Sequence, residues 1–557
     1  MKGQEVSLVQ FGKTLSAQSF DVDLQWKDQQ LAHKIVLDTL GGNFETEGKI
    51  FRKKGSKSAD DWTLDSHVIL EEINMIELKN IMPNQVALFP NKGTLTGKIH
   101  VQGPVMRPEA MNGNVNLKVM NLEVKVKGTP VAVPVTEFKG ELANRRLVHD
   151  LKLKIFGGNL QIKGQLKMNK TSKGEWDPVI DSDVIPQSIQ LASLRPLVNK
   201  NWFPKQGTLT GKVHLQGPVM RPETMKNKGN IQILNLEVKV KDTPVAVRVI
   251  DFKGEWANRR LVHDLKLKIF GGNLQVKGQL KMNKTRKGEW DPVIDSDVIP
   301  QSIRLASLRP LVQKDWFPKQ GTLAGTVHVQ GPVLRPGTMQ GKGNLKILNL
   351  EIKVKDTPVL IPVTEFEGEW ANSRLVHDLK LKIFDGSLQV KGHLKMNRTR
   401  KGELDPVIDS RVFVKPVSLI RLKPLVAQNW FPGKGIIDGV VRVRGPILRP
   451  VTITAEGRLR VQNTAMPLAG GIINLAHLEG KGLWSENHLS HRITMKVFGG
   501  SVSVQGNLNF KKNNQGELDP VIDSEVIPKS IRLADLRPLV QKNWFPKKGT
   551  LTGKIHV

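Results

Sequence analysis

The sequence predicts an all-β fold: an elongated repeat protein built on a long, twisted antiparallel sheet, with one short helix in each 114-residue repeat. Three observations lead there. A period of 114 residues runs through the chain without insertion. Trp-Phe-Pro stands at Trp202-Phe203-Pro204, Trp316-Phe317-Pro318, Trp430-Phe431-Pro432 and Trp544-Phe545-Pro546, with a weaker Leu88-Phe89-Pro90 one period earlier. Arg107, Arg221, Arg335 and Arg449, each followed by proline, keep the same step, as do Phe156, Phe270, Phe384 and Phe498, each opening a turn. Apolar and polar residues alternate with period two over most of each copy, the mark of half-buried strands. Only one short segment per copy reads as helical.

Residues 1–89 form a divergent partial repeat, 90–203, 204–317 and 318–431 three full ones, 432–545 a divergent fourth, and 546–557 the first strand of another. Leu40-Gly41-Gly42-Asn43-Phe44 matches Phe156-Gly157-Gly158-Asn159-Leu160, and residues 549–557 repeat residues 93–101 letter for letter. This predicts a piece of a longer protein, with anchors or caps beyond one or both ends.

In the copy 204–317, the first strand, 208–216, sets Leu209, Val213 and Leu215 on one face and Lys212, His214 and Gln216 on the other. The second, 230–240, changes phase at Ile233-Leu234, which predicts a β-bulge, and the third, 245–256, shifts likewise at Val249-Ile250. The fourth turns Leu265, Leu267 and Ile269 inward, and the fifth Leu274, Val276, Leu280 and Met282. Lys266, Lys268, Lys277 and Lys281 take the opposite phase. The sixth, 293–298, leads through Pro300 to a helical segment at 307–312, with Ser307 as cap and Pro310 in the first turn. Six strands per copy give roughly 28 in all, and an even number lets each copy start in the same direction.

A chain of 557 residues with 39% hydrophobic content buries a large apolar area. It has no cysteine, hence no disulfide and no thiolate metal site. No apolar run approaches the roughly 18 residues of a membrane span, and the N-terminus lacks the layout of a signal peptide. The net charge of +32 raises nucleic acid as a partner. The lysines, however, spread over a whole sheet face without a stripe or stacking aromatics, so nucleic acid is not expected.

What covers the apolar face decides the function. One two-turn helix is about 10 Å across and covers about two of six strands. The sheet then either packs on itself as a sandwich or curls into a trough whose apolar floor holds a ligand. Inward residues are mostly Leu, Ile and Val, aromatic content is 5% and tyrosine is absent, which fits a smooth aliphatic lining better than an interlocked core.

The block Leu308-Arg309-Pro310-Leu311-Val312, then Gly321-Thr322-Leu323-Ala324-Gly325 with Val327 and Val329, then Gly331-Pro332, resembles the recurring signature of the AsmA-like envelope proteins, the TamB and YhdP group of bridge-like lipid transfer proteins. The turn Phe270-Gly271-Gly272-Asn273-Leu274 followed by Gly278 is similar to the same family's repeat ending. The resemblance implies a sheet folded into a taco-like groove, anchored in the inner membrane, crossing the periplasm and moving phospholipid toward the outer membrane. It departs from the family in showing no N-terminal membrane helix and in the near identity of neighbouring copies.

Several constellations imitate chemistry. His149-Asp150, His263-Asp264 and His377-Asp378 recur, but neighbours on a strand face opposite ways and the fourth copy reads His491-Arg492, so no dyad forms. His149, His263, His377 and His491 share the apolar phase and are expected near the rim, as structural residues or as headgroup contacts. The run from Asp177 to Asp183 resembles a calcium loop without its glycine and glutamate, and Arg411 replaces one aspartate in a later copy, so pairing with lysines is expected instead. The Trp-Phe-Pro corners read as plugs between helix and sheet.

The expectation is thus a non-enzymatic conduit without cofactor, metal or catalytic residue. Leu209, Val213, Leu215, Leu265, Leu267, Ile269, Leu274, Val276, Leu280, Met282 and their equivalents 114 residues away line the groove. Its partners are phospholipid acyl chains, the two membranes through terminal segments, and envelope proteins. The alternative is an assembly scaffold that engages β-rich outer-membrane proteins through exposed sheet edges.

Overall fold

The structure, a computed structural model, describes residues 1–557 apart from 11–12, 53–61, 82–89, 91, 108–109, 127, 171–173, 199–202, 241–242, 286–287, 313–316, 355–356, 399–403, 426–430, 450–451, 469–470, 513–517 and 541–544. It is all-β, with 77% strand and 9% helix. Two compact units divide the chain: residues 1–269 with 277–282, and residues 270–276 with 283–557.

In the first unit the long strands pair antiparallel in chain order from Lys2–Gln10 to Arg260–Ile269. In the second they do so from Trp290–Gln301 to Leu518–Lys529. The copy within the first unit runs Lys92–Pro104, Asn112–Val126, Thr129–Ala143, Arg146–Ile155, Gly158–Lys170 and Trp176–Gln187, followed by the short Ile189–Gln190 and the helix Leu191–Val198. Six long strands per copy are therefore observed.

The phase changes have a common origin. Against the first strand, the second shifts register between Gln206 and Thr208, as a bulge requires. Against the third there is no shift: Ile233–Ile250 and Leu236–Val247 belong to one register. The bulge expected in the third strand is thus absent there, because the two strands roll over together and keep their ladder. Asn235, with φ 53°, makes the roll, and Asn121, Asn349 and Asn463 repeat it at φ 53°, 53° and 52°. Asparagine is among the residues that tolerate this conformation best.

The helix also differs from expectation. In the second unit it starts at Leu305 as a 3-10 turn, Leu305–Leu308, and continues as Arg309–Val312. Arg304 is its N-cap, without a side-chain cap bond, so Ser307 lies inside the turn. The cause is the ladder: Ile303 and Arg304 pair with Leu323 and Thr322 of the next strand, and the chain passes from that pairing directly into the helix.

The core sits at this end of the strands. Leu305, Leu350, Val359, Ile361 and Ile383 are buried together, with Leu308, Phe317, Leu381, Phe384 and Leu388 packed against them. The helix thus meets side chains from the ends of five strands. Phe384 holds φ 55° and the following Asp385 φ 60°, the pattern of a tight hairpin turn. An aromatic residue rarely adopts this conformation; here its ring packs against the core.

With so little helix, the far-ultraviolet circular dichroism spectrum is expected to be that of strand, lacking the double minimum of helix. A helix-dominated spectrum contradicts this fold.

Candidate functional site

The apolar face is a grid. In the copy 318–431, one row reads Leu323, Ile347, Thr364, Leu381, Leu388 and Val414 across six strands. Beside it run Gly325, Leu345, Phe366, Leu379, Val390 and Val412, and then Val327, Gly343, Gly368, His377, Gly392 and Ser410. A fourth row holds Val329, Gly341, Trp370, Leu375, Leu394 and Ile408. The first row meets the helix-end core through Leu323, Ile347, Leu381 and Leu388. Beyond it, Leu379, Val390, Leu394 and Val412 are half-buried, whereas Lys380, Lys382, Lys391 and Lys395 on the other face are exposed.

Extensive strand-to-strand packing is confined to strands that neighbour one another in the ladder. The buried clusters likewise draw their side chains from neighbouring strands and the adjoining helical segments, and none of them bridges two layers of sheet. Aliphatic residues that are only half-buried and belong to none of these clusters amount together to a broad apolar surface.

The expected lining residues divide into two groups. Leu209, Leu267 and Ile269 pack into the helix-end core with Leu191, Leu194 and Phe203. Val213, Leu215 and Leu265 lie further along the strands, and with Leu274, Val276, Leu280 and Met282 they are half-buried. Alternation told the two faces apart, but carries no information on which end of a strand the helix covers. Phe203 and Phe317 join the cores as plugs; Trp202, Trp316, Trp430 and Trp544 lie outside the described residues.

The histidines stand between aliphatic rows, not at a rim. His149 Nε2 and Ser182 Oγ share a hydrogen bond of 3.2 Å, His377 and Ser410 one of 3.1 Å, and His491 and Ser524 one of 3.3 Å. His263 occupies the equivalent place, opposite Gly254. In each of these three pairs a glycine strand residue separates the partners: Gly164, Gly392 or Gly506. Gly164 has φ 157°, and a Cβ there would collide with the carbonyl oxygen of Asp181 and with the Ser182 hydroxyl. The bond thus bridges two strands across a residue that has to be glycine, a relation between residues 33 apart that no local pattern reveals. Gly164→Ala is expected to break the His149–Ser182 bond and cost about 1–3 kcal/mol of local stability, read as faster amide exchange in the flanking strands. Unchanged exchange would refute this.

Burial holds the His377 imidazole below its usual pKa. The folded state then disfavours its protonation. Stability from this group is fully present above the ordinary value near 6.5 and falls as pH drops below it, since the unfolded chain binds the proton more readily. His377→Gln is expected to reduce the acid sensitivity of this copy, measured by denaturation at pH values of about 7 and about 5. An identical pH dependence in the variant would exclude the histidine as its source.

The polar face carries paired charges. Arg221 meets Asp177 at 2.6 Å, Arg335 meets Asp291 at 2.6 Å and Arg449 meets Asp405 at 2.7 Å. This explains the recurring Arg-Pro: its side chain ties the turn after a copy's first strand to the preceding sixth strand. The aspartates expected to pair with lysine do so at Lys212–Asp183, 2.9 Å, but His214, His328 and Arg442 are their more frequent partners. A depression of about 910 Å³ on this face is bordered by Lys342, Glu367, Asp378, Lys391 and Arg442. A twisted sheet is saddle-shaped, so such a hollow is compatible with opposite curvature along the other diagonal.

Among the described residues no helix is long and apolar enough to cross a membrane. Comparison with models of protein families, with curated proteins and with solved structures finds no match.

Proposed function

We propose that the chain is a non-enzymatic lipid conduit, in which acyl chains lie against the aliphatic rows and headgroups remain toward water. The observation that carries this reading is the apolar face itself: rows such as Phe366, Leu379, Val390 and Val412 are half-buried and lie outside the buried cluster at the helix end. An aliphatic surface with few aromatic residues holds chains loosely and lets them slide. The resemblance to AsmA-like proteins supplies the setting: the periplasm, anchorage at the inner membrane, and phospholipid passage toward the outer membrane.

A photo-crosslinker at Ile162, half-buried on the apolar face, is expected to label co-purified phospholipid, and one at the exposed Lys163 is not. Equal labelling at both positions, or none at either, would favour the assembly-scaffold alternative.

A further inference from the structure

We propose that Asp65, His67 and His100 form a binding site for a divalent transition-metal ion of the zinc type on the polar face of the first unit. One ligand atom from each residue lies within 4.8 Å of the other two. His67 and His100 are direct cross-strand partners, and Asp65 precedes His67 by two residues on the same face. The imidazoles stack with centroids 4.1 Å apart and planes at 9°. His100 Nε2 lies 2.8 Å from Asp65 Oδ1, and Gln102 reaches the second carboxylate oxygen at 3.5 Å. The ring nitrogens of His67 have no hydrogen-bond partner among the described residues.

Two imidazoles and one carboxylate are a donor set that zinc accepts, with a position left open. Ligand atoms around a tetrahedral zinc stand roughly 3.4 Å apart, so a turn of these side chains closes the set. They are free to make it, since His67 is exposed and the other two are half-buried. Around the set the carboxylates Asp65, Glu45 and Glu47 still outnumber the lysines Lys34 and Lys49, despite the basic chain. A depression of about 460 Å³ beside Asp65 and His67 is bordered by Glu45 and Glu47, which share Lys34 at 3.0 and 3.2 Å, and Glu47 stands directly opposite His67. Lys49, the cross-strand partner of Asp65, has its Nζ over the Phe51 ring, 5.5 Å from the centroid.

The internal copies supply an independent argument. The same three places hold Asp181, Asp183 and His214, then Asp295, Asp297 and His328, and then Asp523, Glu525 and His556. In the remaining copy they hold Asp409, Arg411 and Arg442. There the Arg442 guanidinium grips Asp409 through two bonds of 2.9 Å, so that a side-chain cation occupies the place where the other copies converge donors. In the set Asp181, Asp183 and His214, Lys212 already neutralises Asp183 at 2.9 Å. The Asp65 set is the richest in nitrogen, which sets it apart as the one suited to zinc, cobalt or nickel instead of a hard cation.

The test uses the full chain stripped with chelator and titrated with Co²⁺, followed by Zn²⁺. One equivalent of Co²⁺ is expected to give visible absorption of a low-coordinate nitrogen and oxygen site, and Zn²⁺ to displace it. His67→Asp, which recreates the donor set of the sister copies, should weaken Co²⁺ binding roughly tenfold or more and remove the band. Asp297→Asn, in a sister set, should leave both unchanged. The proposal is overturned if wild type takes up no such equivalent, so that the cluster is a cross-strand hydrogen bond only, or if the band survives both His67→Asp and His100→Ala. Circular dichroism of each variant guards against loss of fold.

Discussion

Ile162→Asp is expected to stop lipid transfer while leaving the protein folded. Ile162 sits in the second row of its copy, between Leu151 and Val184, half-buried and outside the buried clusters at the helix end. A carboxylate there puts charge where acyl chains pass, and an acyl chain that desolvates it meets a barrier of about 2–7 kcal/mol or more. In a conduit every lipid crosses every copy, so one block is enough; Val390→Asp, its counterpart in the second unit, should act as strongly by itself. Transfer of a fluorescent phospholipid between vesicles should fall by roughly tenfold or more. Lys163→Glu is the control, and its exposed side chain predicts little change. Full transfer by a folded Ile162→Asp protein would remove the conduit reading.

Ile361→Ala should produce the largest loss of stability of any single truncation in the copy 318–431. Ile361 is 2% exposed and packed with Leu305, Leu350, Val359 and Ile383, where the helix closes on the strand ends. Removing its methyl groups leaves a cavity worth about 2–5 kcal/mol. Its neighbour Leu360 is 57% exposed on the other face, so Leu360→Ala is expected to stay within about 0.5 kcal/mol. Local exchange or proteolysis would separate the two, because a repeat protein opens piecewise. Comparable effects at both positions would mean that the helix-end core is not what holds the copy together.

The two results probe different parts of one face, and the difference matters for function. The helix-end core holds each copy's strands at one end and spends the apolar side chains nearest to it. Only what lies beyond, from the Val390 row outward, remains for a ligand. An assembly scaffold needs the core and has no use for the bare rows, which is why a charge in those rows discriminates between the readings.

Strand identity, strand number and the division of side chains between two faces were all legible in the linear pattern. Leu379 and Leu381 alternate with Lys380 and Lys382, and an alternation of period two has one simple structural solution. The roll at Asn235 was visible as a change of phase. Its location relative to each neighbour was not, because register belongs to a pair of strands and not to one. The helix was found as a pattern, but its start at Leu305 was set by the pairing of Ile303 and Arg304 with the next strand, beyond the reach of local capping rules. The bond from His377 to Ser410 across Gly392, the tie from Arg335 to Asp291, and the meeting of Asp65 and His67 with His100 join residues 33 to 44 positions apart in the chain. Each residue is unremarkable alone. Periodicity assigns every side chain to a face, whereas only the completed ladder decides which of them become neighbours on it.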